Sequence, residues 1–108
     1  MRFEVKPGVR MVGLQPQTLL GIMIVKQVYF NRELDCVITS ITEGVHSRAS
    51  IHYTGGAFDV RTRHVPVDDM KDLAQDIKNA IGDDFDVVLH MEPENLHIHV
   101  EYQPKKPY

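Results

Sequence analysis

The sequence contains a single cysteine, Cys36, among its 108 residues. One cysteine excludes an internal disulfide bond, and it also excludes the cysteine clusters that hold zinc in finger-like sites. Any metal bound by this chain must therefore be held by histidine and carboxylate side chains.

Positive charge and long apolar segments are also scarce. Twelve Lys and Arg against 15 Asp and Glu give a formal net charge of −3, so we expect no nucleic-acid partner. No apolar run is long enough to span a membrane, and we expect no membrane partner. The opening residues, MRFEVKPG, carry charges where an export signal would be apolar. We therefore expect a cytoplasmic protein in the producing cell.

The composition is that of one globular domain, since 43% of the residues are hydrophobic and 25% are charged. We expect a single domain over residues 1–108. The tail at about 103–108 contains two prolines, which cannot donate to a sheet ladder, so we expect it to be irregular.

Two helices are predicted from the spacing of apolar residues. The first runs from about Pro16 to Asn31, with proline in its first turn and a wide apolar stripe that predicts a well-buried helix. The second runs from about Asp68 to Ile81, with acidic residues in its first turn and Gly82 as its stop.

Short strand-like runs follow each helix. They cover Cys36 to Ser40, Ala57 to Arg61, Phe85 to Glu92, and Leu96 to Tyr102. Only Pro93, Glu94 and Asn95 separate the last two, which predicts a hairpin. The chain is thus expected to have an α+β fold, with a small antiparallel sheet and helices packed on one face.

Alternation along the last strand sorts its side chains between the two faces of the sheet. Apolar residues occupy one face, whereas His97, His99 and Glu101 share the other. By the same rule, His90 and Glu92 of the partner strand lie on this polar face.

A second histidine and an aspartate lie upstream, in the stretch SIHYTGGAFD. Its two glycines permit a tight turn that would fold Asp59 back toward His52. A catalytic zinc site typically has three protein ligands and a fourth position for water. His52, Asp59 and one histidine of HIH make such a set, on the sheet face opposite the helices.

These motifs carry a resemblance to a known group of zinc enzymes. SIHYTGGAFD fits Ser-x-His-x-x-Gly-x-Ala-x-Asp, the signature of the D-Ala-D-Ala peptidases of family M15, and HIH resembles the second metal motif of that family. The order of the motifs around a helix resembles the wider Hedgehog/DD-peptidase superfamily. The resemblance covers roughly residues 34 to 103.

Carried over residue by residue, the resemblance implies roles for six side chains. His52, Asp59 and His99 resemble the zinc ligands, and His97 resembles an accessory histidine beside the metal. His46 resembles a further active-site histidine, and Ser50 resembles a serine that helps to bind substrate.

The general base and the substrate anchor are less sharply defined. Glu92 is preferred as the base because alternation places it on the polar face. Glu94 is the alternative, because some members of the family place an acid three residues before a histidine ligand, and Glu94 has that spacing from His97. Many relatives carry an arginine in the segment that here reads ITSITEGVHS, which has none. Arg48 is the nearest candidate to bind a substrate carboxylate.

The resemblance implies a zinc metallopeptidase that hydrolyses peptidoglycan stem peptides, as a D,D-carboxypeptidase or as an endopeptidase of the endolysin type. The alternative is a non-catalytic zinc-bearing binding or structural module of the same superfamily. We expect zinc as the cofactor, a peptidoglycan peptide as the substrate, and a monomer. Without an export signal, the protein would reach the cell wall only by lysis or as part of a virion.

Overall fold

The computed structural model describes residues 1–11, 13–42 and 56–104, which form an α+β fold. These described residues contain two helices and five strands. In order they are β1 (Phe3–Val5), α1 (Pro16–Asn31), β2 (Cys36–Thr42), β3 (Ala57–Arg61), α2 (Val67–Ile81), β4 (Phe85–His90) and β5 (His97–Tyr102).

The five strands form one sheet in the order β1-β2-β3-β5-β4. The predicted hairpin is confirmed, since β4 and β5 pair in antiparallel fashion. The prediction of a purely antiparallel sheet is wrong, because β1 lies parallel to β2, with Phe3 opposite Cys36. This strand was missed in the sequence because three residues are too few to show alternation.

Helix α2 follows its prediction closely. It begins one residue earlier than expected, at Val67, and its buried residues recur at helical spacing, from Met70 through Leu73 to Ile77. Gly82 ends the helix with a φ of 88°, a left-handed conformation that glycine adopts without steric cost.

Helix α1 has the predicted bounds but is less buried than its wide apolar stripe suggested. Ile22, Val25 and Tyr29 face the core and are almost fully buried. Three apolar residues in its first half, Leu19, Leu20 and Met23, are 42%, 54% and 58% exposed. The reason is geometric, because a helix in a single layer can cover only the side that meets the sheet and α2. Within the described residues, no helix is long and apolar enough to cross a membrane.

The core lies between the helix pair and one face of the sheet. Its centre includes Phe58 and Val60 from β3 and Ile98 and Val100 from β5, all at most 2% exposed. These four residues alternate with polar ones, so the remaining side chains of β3 and β5 must point to the opposite face. The fold thereby separates an apolar face from a polar face on the same two strands.

Helix α1 approaches this core closely at Gly21. A Cβ atom built on Gly21 would lie 3.0 Å from Cε2 of Phe85 and 3.2 Å from Cε1 of Phe58. Phe58 is 2% exposed, so its ring has no room to withdraw.

We expect Gly21→Ala to destabilise the protein by roughly 1 kcal/mol. Overpacking a core costs about 1–3 kcal/mol, and the better helix propensity of alanine returns about 1 kcal/mol. Urea unfolding measures the difference. Asp72→Ala, at an exposed position of α2, is the control, because it raises helix propensity without adding contacts in the core. If Gly21→Ala is as stable as this control, the close packing of α1 on Phe58 is wrong.

Candidate metal centre

The polar face of the sheet carries Asp59 and His99 side by side. The register of β3 and β5 pairs these two residues directly. The same row continues to Ser40 on β2 and to Val88 on β4. Directly opposed side chains on neighbouring strands have Cβ atoms about 5 Å apart, close enough for both to contact one ion.

The ring of His99 lies between two carboxylates. Its Nδ1 lies 2.7 Å from Oδ1 of Asp59 and its Nε2 lies 3.2 Å from Oε1 of Glu101, so both ring nitrogens are within hydrogen-bond distance of a carboxylate. Partial burial by itself lowers the pKa of His99, but the hydrogen bonds with Asp59 and Glu101 outweigh it, so the pKa is raised above its ordinary value. Gln103 donates to the other oxygen of Glu101, which fixes that carboxylate.

His97 reaches the same aspartate from the next position along β5. Its Nε2 lies 3.8 Å from Oδ2 of Asp59, and its Nδ1–H donates to the carbonyl oxygen of Asn95 at 2.8 Å. Because this carbonyl holds Nδ1, the ring presents Nε2 to Asp59. The side chain of His97 is only 12% exposed.

His90 supports His97 from the neighbouring strand. The two residues are paired in the β4–β5 register, and their rings stack with centroids 4.5 Å apart and planes inclined by 13°. No role for His90 was predicted. Strand alternation placed it on the correct face, but the pairing with His97 depends on the length of the turn, which alternation does not give.

Both candidate bases lie in the turn between β4 and β5. The strand ends at His90 rather than Glu92, so strand alternation, on which the preference for Glu92 was based, does not extend to that residue. Proline favours a turn here, and the Asn95 N–H donates to the carbonyl oxygen of Glu92 at 2.9 Å. Glu92 and Glu94 are both exposed. The Glu92 carboxylate lies 3.8 Å from Nδ1 of His90, on the histidine side of the turn. The identity of the base therefore stays a prediction.

Four predicted site residues, His46, Arg48, Ser50 and His52, lie outside the described residues. In the part of the chain that the structure describes, no three His, Cys, Asp or Glu side chains form a group that could hold a metal ion. The two predicted ligands that are described, Asp59 and His99, do lie together.

The donor chemistry of this pair fits zinc. Carboxylate oxygen and imidazole nitrogen are common zinc ligands, and ligating histidines usually donate their other ring N–H to a carboxylate. Glu101 takes that place on His99, which leaves Nδ1 for the metal on the side of Asp59.

No protein-family model matches this chain, and neither the curated proteins nor the solved structures give a significant match.

We expect His99→Ala to lose most of its zinc at micromolar free metal, because the Nδ1 atom beside Asp59 would be gone. His97→Ala should keep its zinc, since the ring of His97 lies farther from Asp59. Elemental analysis of the two variants, dialysed side by side with the wild type, measures the difference. His64→Ala is the matched control, because the ring of His64 bonds instead to the carbonyl oxygen of Asp35. Loss of zinc from His97→Ala alone would make His97 the ligand.

Proposed function

We propose that this protein is a zinc-dependent metallopeptidase that hydrolyses peptide bonds of peptidoglycan stem peptides. The observation that supports it most directly is the Asp59–His99 pair, joined at 2.7 Å on the sheet face opposite the core. The pair combines the last residue of the SIHYTGGAFD motif with the second histidine of HIH. Those two motifs carry the resemblance to the D-Ala-D-Ala peptidases, in which the matching residues bind zinc.

His52, Asp59 and His99 would hold the zinc ion, and the chemistry divides among the residues around it. When bound, zinc lowers the pKa of a water molecule toward neutrality and polarises the scissile carbonyl. Glu92, or Glu94 in its place, would take a proton from that water and pass it to the leaving amine. His97 or His46 would stabilise the oxyanion, and Ser50 and Arg48 would bind the substrate.

Within this scheme, Glu101 is a positioning residue. Its carboxylate accepts the Nε2–H of His99 and is itself fixed by Gln103. With zinc bound, this contact would hold the imidazole in one orientation with its proton on Nε2, so that Nδ1 could bind the metal.

A non-catalytic zinc-bearing module is the second candidate, and the position of the two acids favours it. Glu92 and Glu94 are exposed in the turn. Within the described residues, neither forms a hydrogen bond or an ion pair with Asp59 or His99. A general base must come within hydrogen-bond reach of the proton that it abstracts, directly or through one water. If neither acid does so with substrate bound, the metal would serve binding or structure.

Digestion of purified cell wall by the zinc-loaded protein tests the proposal. We expect release of new amino groups, and mass analysis of the fragments identifies the bond that is cut. Asp59→Ala, treated with the same zinc but lacking a proposed ligand, is the negative control. If the wild type binds one zinc per chain but hydrolyses no muropeptide, the non-catalytic module is correct.

Glu92→Gln should leave the zinc content and the fold intact while lowering the hydrolysis rate by about two to four orders of magnitude, the range expected for loss of a general base. Glu94→Gln, two residues away in the same turn, is the matched control and should retain activity. If Glu94→Gln abolishes hydrolysis instead, Glu94 is the base.

A further inference from the structure

A groove of about 220 Å³ lies beside the candidate metal centre and is rich in arginine. Arg2, Arg61 and Arg63 line it, together with the carboxylates of Glu4 and Asp35. Its floor includes Val37, which is 8% exposed and pairs with Glu4 across β1 and β2. Three guanidinium groups and two carboxylates leave a surplus of positive charge, although the chain as a whole is acidic.

The groove opens on the same sheet face as the metal centre. Arg61 follows Asp59 by two residues on β3, so the two side chains point to the same side, and their Cα atoms lie about 7 Å apart. The cross-strand partner of Arg61 is His97. A peptide lying at the metal centre would therefore have Arg61 within about one or two residues of the scissile bond.

Both acids of the groove contact Arg2. Oδ1 of Asp35 accepts the backbone N–H of Arg2 at 2.7 Å, and Oε1 of Glu4 lies 3.8 Å from Nη1 of the same residue. Within the described residues, no ion pair is recorded for Arg61 or Arg63. In the described part of the chain, the guanidinium groups of Arg61 and Arg63 are therefore free to bind an anion from outside.

The backbone that carries them is anchored to the rest of the fold. The carbonyl oxygen of Arg61 accepts the hydroxyl of Tyr29 at 2.9 Å, and Tyr29 is fully buried in α1. The next residue, Thr62, donates its N–H to Leu96 in the hairpin at 3.2 Å. Because this backbone is already ordered, less conformational entropy of the protein is lost when a ligand binds.

We propose that the Arg61–Arg63 groove is a substrate subsite that binds a carboxylate of the peptide close to the scissile bond. Arginine suits this role because its planar guanidinium donates two parallel hydrogen bonds to one carboxylate. The inference rests on the proposed peptidase function for the identity of the ligand. The proposal places the anion contact on Arg61 of β3 and on Arg63 just after that strand. This contact is separate from Arg48, the nearest sequence-based candidate for a carboxylate anchor.

The test measures binding to the zinc-free protein, so that it does not depend on catalysis. N-acetyl-D-Ala-D-Ala and its C-terminal amide are titrated separately and followed by NMR shifts of the backbone amides. We expect the acid to bind at least about tenfold more tightly than the amide, because the charge-assisted hydrogen bonds are lost with the carboxylate. The largest shifts should fall on Arg61 and Arg63.

Arg61→Gln/Arg63→Gln should bring the affinity for the acid down to that for the amide. Lys71→Gln is the control, because it removes one positive charge from an exposed position of α2, in the helix layer across the sheet. It should leave the affinity for the acid unchanged. If the double variant fails to fold, Arg63→Gln alone serves, because Arg63 is exposed and should still weaken binding of the acid severalfold.

Equal affinity for acid and amide, or an acid affinity that the double variant retains, would overturn the carboxylate subsite. Tighter binding of inorganic phosphate than of the peptide acid at the same residues would also overturn it, because the groove would then be a phosphate site. If the protein hydrolyses no muropeptide but binds the acid through Arg61 and Arg63, the proposed function is wrong and the carboxylate subsite is supported.

Discussion

The antiparallel register between β3 and β5 places Asp59 directly opposite His99, and the polar face of the sheet depends on this pairing. A shift of one residue would turn Phe58 and Val100 out of the core and the polar residues into it. Burial of the apolar face under α1 and α2 therefore fixes the position of the candidate ligands. The packing of the core and the geometry of the candidate metal centre are two consequences of one register.

Much of this arrangement could be predicted from residue patterns. The helix bounds followed from apolar spacing and from the stop at Gly82, and alternation in β5 correctly separated His97, His99 and Glu101 from the core. The parallel strand β1 could not be predicted, because three residues carry no period. The exposure of Leu20 also could not, because helical periodicity does not say how much of a wide stripe the neighbouring elements will cover.

The candidate site also contains some residues whose positions could be predicted from the sequence and others whose positions could not. Strand residues such as Asp59 and His99 are predictable, because a strand fixes which side each residue faces and a register fixes its partner. The position of Glu92 could not be predicted, because β4 ends at His90 and the rule of alternation stops with the strand. The groove at Arg61 could not be predicted, because Arg2 and Glu4 line it only once β1 lies against β2.

The central claim is that Asp59 and His99 bind one zinc ion together. Crystals of the protein grown with zinc, measured above and below the zinc absorption edge, test it most directly. The account predicts one anomalous peak per chain at about 2.0–2.2 Å from both a carboxylate oxygen of Asp59 and Nδ1 of His99. A peak elsewhere, or an Asp59–His99 hydrogen bond that persists unchanged at saturating zinc, would contradict it.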